Sequence, residues 1–92
     1  MRDDAGPGSL KLIVAADDPA VERALREHVR DADLRQFGDG AWVAYTDAEP
    51  SVLRDWLAAA LGDSATVLVV EFERWSLHGN AVDPAWLLRR GH

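Results

Sequence analysis

Two adjacent aspartates, Asp17 and Asp18, are the residues whose type and position best suit chemistry. They follow the apolar run LKLIVAA, which has the length of a strand, and they precede Pro19. One or two carboxylates at such a position can hold Mg²⁺ together with water and a substrate phosphate. Asp is also a common N-cap and Pro a common first residue of a helix. The position of Asp18 therefore favours capping, and Asp17 stays open as a metal ligand or catalytic residue.

Other residue types that support catalysis occur without the spacing that a mechanism needs. His28 falls on the apolar side of a predicted helix, His78 falls in a polar loop, and His92 is terminal. No serine lies in a GxSxG motif, and GDG at 38–40 lacks the lysine of a phosphate loop. The chain has no cysteine, which excludes disulfides and Cys-based zinc sites. These patterns favour a protein without catalytic activity and without a cofactor, and Mg²⁺ at Asp17 is the alternative.

The charge balance argues against a nucleic-acid partner. The 92 residues contain ten Arg and Lys against sixteen Asp and Glu, a formal net charge of −6. Nucleic-acid binders usually present a basic field, because release of phosphate counterions provides most of their non-specific affinity. The sequence has no apolar run long enough for a signal peptide or a membrane span. We therefore predict a cytoplasmic protein that does not contact a membrane.

The apolar periodicity predicts six elements in the order strand, helix, strand, strand, helix, strand. Gly38-Asp39-Gly40 separates the second and third strands, and its glycines can adopt the positive φ angles of a tight hairpin. The second helix carries Trp56 on its apolar stripe and ends near Gly62. The six segments are LKLIVAA, DPAVERALREHVRDAD, LRQF, AWVAYT, a helix between Asp47 and Gly62, and TVLVVEFERW.

This order is that of a ferredoxin-like βαββαβ plait, an α+β fold with a four-stranded antiparallel sheet and two helices on one face. Right-handed crossovers place the first and third strands at its centre. We predict a flexible lead-in over residues 1–9, a ferredoxin-like domain over 10–76, and a C-terminal tail with a short helix over 77–92. The second face of the sheet has no cover of its own in this arrangement. Its apolar side chains are expected to form an exposed patch, which generally marks an interface.

Four tryptophans are a large number for so short a chain, and they also indicate an interface. A core of this size is not expected to bury Trp42, Trp75 and Trp86 together. Tryptophan is enriched at interface hot spots because of its large apolar area. The predicted interface residues are Trp42, Val69, Phe72, Trp75, Trp86, Leu87 and Leu88.

Short motifs between residues 40 and 76 add a family resemblance. They are Ala41-Trp42-Val43, Leu53-Arg54-Asp55-Trp56-Leu57, Leu68-Val69-Val70-Glu71-Phe72 and Trp75-Ser76. This region resembles the Cas2-like superfamily, in particular its small SinR-like proteins, whose first strand ends in an aspartate as Val14-Ala15-Ala16-Asp17 does here. The resemblance implies a homodimer and a metal site where two Asp17 residues meet at the dimer axis. The family's tyrosine before the aspartate is replaced by Ala16, and its basic ligand-binding residues have no obvious counterpart.

Three functions are consistent with these patterns. The first is a non-catalytic homodimeric binding or scaffold module that contacts a protein partner through the open sheet face and the tail. The alternative is a Cas2-like, metal-dependent nuclease or nucleic-acid-handling protein that uses Asp17. The third is a small-ligand sensor with a pocket between the sheet and the tail, for which the sequence offers no polar cluster.

Overall fold

The computed structural model describes residues 8–62, 65–79 and 81–91, so most of the predicted lead-in and His92 lie outside the described residues. Within these ranges the chain forms an α+β fold with one four-stranded antiparallel sheet and three α-helices. The strands are β1 (Ser9–Val14), β2 (Leu34–Gly38), β3 (Ala41–Thr46) and β4 (Leu68–Phe72). The helices are α1 (Pro19–His28), α2 (Pro50–Leu61) and α3 (Pro84–Gly91), and a 3₁₀ turn spans Asp31–Asp33.

The strands lie across the sheet in the order β2-β3-β1-β4. β1 and β3 therefore pair at the centre, as right-handed crossovers predict. Leu12 on β1 lies opposite Val43 on β3 and opposite Val70 on β4. Because side chains alternate along a strand, these three residues share one face of the sheet, the tail face. Ile13 and its partner Trp42 share the other, the helix face.

The helix face is covered by α1 and α2 and holds the larger of two cores. The buried positions of α1 are Val21, Ala24 and Leu25, and those of α2 include Leu53 and Leu57. Their spacing of three and four residues places each set on a single helical stripe, which packs against the sheet. The buried residues of this core are Ile13, Val21, Ala24, Leu25, Val29, Leu34, Trp42, Ala44 and Leu57.

Trp56 lies at the edge of this core. Its indole is half-buried and stacks on the exposed His28, with 3.8 Å between the ring centroids and 8° between the ring planes. The prediction that Trp56 faces the core is therefore correct only in part. The imidazole at the end of α1 covers one face of the indole, and the rest of the ring stays accessible to solvent.

Lys11 interrupts the apolar pattern of β1 on the helix face. Its side chain is only 2% exposed, although the sequence places it within a predicted apolar strand. The Nζ atom donates hydrogen bonds to Ser9 Oγ and to the Thr46 carbonyl oxygen, both at 2.7 Å, and lies 3.5 Å from a Glu71 carboxylate oxygen. A buried charge is tolerated when it is paired and hydrogen-bonded. These contacts tie Lys11 to the strands on either side of β1.

A second, smaller core covers part of the tail face. Val82, Trp86 and Leu87 fold back onto Leu10 and Val43, and all five side chains are buried. The expectation that this face has no cover within the chain is therefore wrong for the half of the sheet beneath α3. The chain has enough length after β4 to return across β1, and burial of Trp86 and Leu87 favours that return.

Trp86 is held in place by several polar contacts. Its Nε1–H donates to the carbonyl oxygen of Ala32 at 2.7 Å. The guanidinium carbons of Arg35 and Arg90 lie 5.1 Å and 5.2 Å from the centroid of the indole, within the range of cation–π attraction. Arg90 also forms an ion pair with the buried Asp33 at 3.2 Å. The side chain of Arg90 is therefore held against the fold, with only 8% of its surface exposed.

Candidate binding surface and pocket

The half of the tail face that α3 does not cover exposes apolar side chains. Val14, Phe37, Leu68 and Val70 are each between 40% and 55% exposed. Val14 and Leu68 are direct partners across β1 and β4. Phe37 and Val70 both line the pocket that adjoins them. We call these four residues the apolar patch, and grouped apolar exposure of this kind marks an interaction site more often than single exposed residues do.

A pocket of about 300 Å³ lies between the tail face and the segment that follows β4. Leu12, Val43 and Val70 contribute from the sheet, and Trp75 and Leu77 contribute from the segment. Its volume is at the lower end of the range for small-molecule sites, about 300–1,000 Å³. The sequence-based hypothesis of a pocket between the sheet and the tail thus has a counterpart in the structure.

Three consecutive pocket residues supply the polar groups that the sequence did not reveal as a cluster. They are Arg74, Trp75 and Ser76. The Nε1–H of Trp75 is buried and has no acceptor among the described residues. An unpaired buried donor costs about 1–3 kcal/mol, so most such groups in native proteins have a partner. A molecule that brings an acceptor to Trp75 would remove this cost.

Asp18 has a structural role in the fold. Its Oδ1 accepts a hydrogen bond from the backbone N–H of Ala20 at 2.9 Å, and Pro19 occupies the first helical position. Asp17 is exposed beside it, in a shallow groove that Glu22 also lines. The described part of the chain contains no group of three or more His, Cys, Asp or Glu residues placed to hold a metal ion. The metal site at Asp17 therefore stays a prediction.

We expect the two aspartates to differ in their effect on stability. Asp18→Ala removes the cap of α1 and should lower the free energy of unfolding by about 0.5–2 kcal/mol. Asp17→Ala, the matched control, removes an exposed side chain and should change it by less than about 0.5 kcal/mol. Urea denaturation of both variants measures this difference. Equal effects would mean that the cap at Asp18 does not stabilise α1.

The predicted interface residues do not come together in one surface. Trp42 is buried on the helix face, and Val69 packs against the same core. Phe72 and Trp75 are half-buried on the tail face, where the α3 residues Trp86 and Leu87 are buried against the sheet. Leu88 is 61% exposed on the outer side of α3. Of these residues, only Phe72 and Trp75 line the pocket close to the apolar patch while keeping partial exposure.

All four members of the apolar patch lie in segments that the sequence identifies as strands, but nothing in the sequence marks them as exposed. Phe37 belongs to β2. Val14 ends β1, and Leu68 and Val70 belong to β4. Their common exposure depends on the register between these strands and on how far α3 reaches. Strict alternation along β4 predicts that Leu68, Val70 and Phe72 share one face of the sheet. It does not predict which half of that face stays open.

The chain matches no protein-family model, and no curated protein or solved structure is significantly similar to it. Within the described ranges, each helix is too short or too polar to cross a membrane. The function is therefore inferred from the apolar patch and the pocket.

Proposed function

We propose that this protein is a non-catalytic binding module that forms a homodimer through the apolar patch. The patch supports this because four large apolar side chains share the uncovered half of one sheet face. β4, which contributes two of them, is also an edge strand. Its outer edge presents backbone groups that another chain can pair with.

The composition of the patch fits a second copy of this chain as the occupant. The protein carries a formal net charge of −6, so two copies repel each other over most of their surfaces. The patch itself consists of uncharged side chains. A two-fold contact brings the same surface of both copies together and keeps the acidic residues away from the centre. Depletion of charge at the centre is the usual composition of an interface.

The ferredoxin-like family of folds is part of this proposal. The order β2-β3-β1-β4 with α1 and α2 on one face supports it, and α3 is an addition to that arrangement. The resemblance to Cas2-like proteins stays a prediction. The alternative of a nuclease that uses Asp17 has less support, because Asp17 is not part of a group of three or more His, Cys, Asp or Glu residues that could hold a metal ion within the described ranges.

Light scattering tests the dimer directly. At tens of micromolar we expect a mass near twice the 10.1 kDa of one chain. Leu68→Glu places a charge in the patch and should lower the mass to that of one chain, because two buried carboxylates at a two-fold contact are unfavourable. Leu88→Glu is the matched control, since Leu88 is similarly exposed but lies on α3, and this variant should stay dimeric.

Circular dichroism of both variants shows that the fold is retained. A wild-type protein that is monomeric at tens of micromolar would contradict the proposal. Equal dissociation by Leu68→Glu and Leu88→Glu would place the interface elsewhere.

A further inference from the structure

We infer that the pocket between the tail face and the segment after β4 binds a small carboxylic acid with an apolar body. This site goes beyond the proposed dimer. The pocket includes Val70 and Phe37 of the apolar patch but neither Leu68 nor Val14. The two functions can therefore be separated by substitution.

The size of the pocket sets the size of the ligand. A cavity of about 150 Å³ lined by apolar side chains is known to hold benzene, with about six non-hydrogen atoms. The pocket here measures about 300 Å³, so it has room for roughly twice as many. The side chains from the sheet, Leu12, Val43, Val70 and Phe72, are all apolar and match a hydrocarbon or aromatic body.

The polar groups of the pocket determine the head group. The guanidinium of Arg74, the indole N–H of Trp75 and the hydroxyl of Ser76 can all donate hydrogen bonds. Arg74 forms no ion pair within the described residues, and none of the side chains that line the pocket is acidic. The lining thus contains a cation and no acid, which favours an anion in this pocket despite the protein's net charge of −6. A carboxylate accepts from several donors at once, and hydrogen bonds to a charged acceptor are the strong ones.

The buried N–H of Trp75 supplies an independent reason for an acceptor. It has no partner among the described residues, although buried indole N–H groups usually have one. The segment from residue 73 to 79, which carries Trp75, has neither helix nor strand. It can adjust to a bound molecule more readily than the sheet can.

The experiment uses octanoate as the probe and 1-octanol as its neutral counterpart. Nuclear magnetic resonance resolves one indole N–H signal for each tryptophan, and Trp75→Phe identifies the signal of Trp75. We expect octanoate to shift the Trp75 signal saturably and to leave the Trp56 signal unchanged. Arg74→Gln should weaken octanoate binding about tenfold or more, because it removes a charge-assisted hydrogen bond. It should not weaken binding of 1-octanol.

Arg23→Gln is the matched control, since Arg23 is an exposed arginine of α1 away from the pocket. It should bind octanoate as the wild type does. The titration is repeated in Leu68→Glu, which is the monomeric background of the proposed dimer. Octanoate binding that persists in Leu68→Glu shows that the pocket binds its ligand independently of the dimer. The inference is overturned if octanoate causes no saturable shift of the Trp75 signal, or if Arg74→Gln and Arg23→Gln weaken binding equally.

Discussion

Trp86→Ala is expected to lower the free energy of unfolding by about 3–5 kcal/mol. The Trp86 side chain is fully buried between α3 and the tail face, so truncation leaves a cavity in the smaller core. The change also removes the hydrogen bond to Ala32 and leaves Arg35 and Arg90 without the ring that they flank. A small domain is stable by only about 5–15 kcal/mol, so this single change should unfold a measurable fraction of the protein on mild heating.

Trp86→Phe separates packing from the hydrogen bond. Phenylalanine keeps most of the apolar volume but cannot donate to the carbonyl of Ala32. We expect a smaller loss, about 1–3 kcal/mol. Chemical denaturation of the two variants gives both values. A loss below about 1 kcal/mol in Trp86→Ala would show that α3 does not cover the sheet in solution.

Gly40→Ala is expected to lower the free energy of unfolding by about 2–4 kcal/mol. Gly40 has a φ of +74°, a conformation that costs a residue with a Cβ about 1–2 kcal/mol. A Cβ at this position would also lie well inside the van der Waals distance of the Ala15 carbonyl oxygen. The backbone cannot easily move away, because the N–H of Ala15 donates to the carbonyl oxygen of Gly40 at 2.8 Å. The strain caused by Gly40→Ala should therefore be larger than the strain of an alanine at a positive φ in an unconstrained turn.

Gly38→Ala is the matched control at the other end of the same turn. Gly38 does not have a positive φ, and a Cβ there would meet nothing within 4 Å. Its effect should stay within about 0.5 kcal/mol, as for most surface substitutions. Thermal denaturation followed by circular dichroism compares the pair. Similar melting temperatures for the two variants would mean that the hairpin adjusts at Gly40 without strain.

The sequence predicts the α+β class from local patterns, and it predicts the central pairing of β1 with β3 because right-handed crossovers place these two strands side by side. Apolar periodicity marks the strands and helices, and the position of Asp18 before Pro19 marks the start of α1. These signals lie within a few residues of each other.

The cover over the tail face could not be predicted, because its contacts join residues that are far apart in the sequence. Trp86 and Leu87 are equally apolar whether they pack on their own chain or on another. The ion pair of Arg90 with Asp33 spans 57 positions, and neither residue differs locally from an exposed charge. The pocket could not be predicted for the same reason, because it forms only when the segment after β4 passes over Leu12 and Val43.

Lys11 also escaped prediction, and its burial has a chemical consequence. It is the only lysine of the sequence, and its Nζ is enclosed by β1, β3 and the Glu71 carboxylate. The folded surface of residues 8–62, 65–79 and 81–91 therefore presents no lysine amine to acylating reagents or to enzymes that modify lysine. Lys11 becomes reactive only when β1 separates from its neighbours. The rate of amine labelling at Lys11 therefore measures how often the sheet opens.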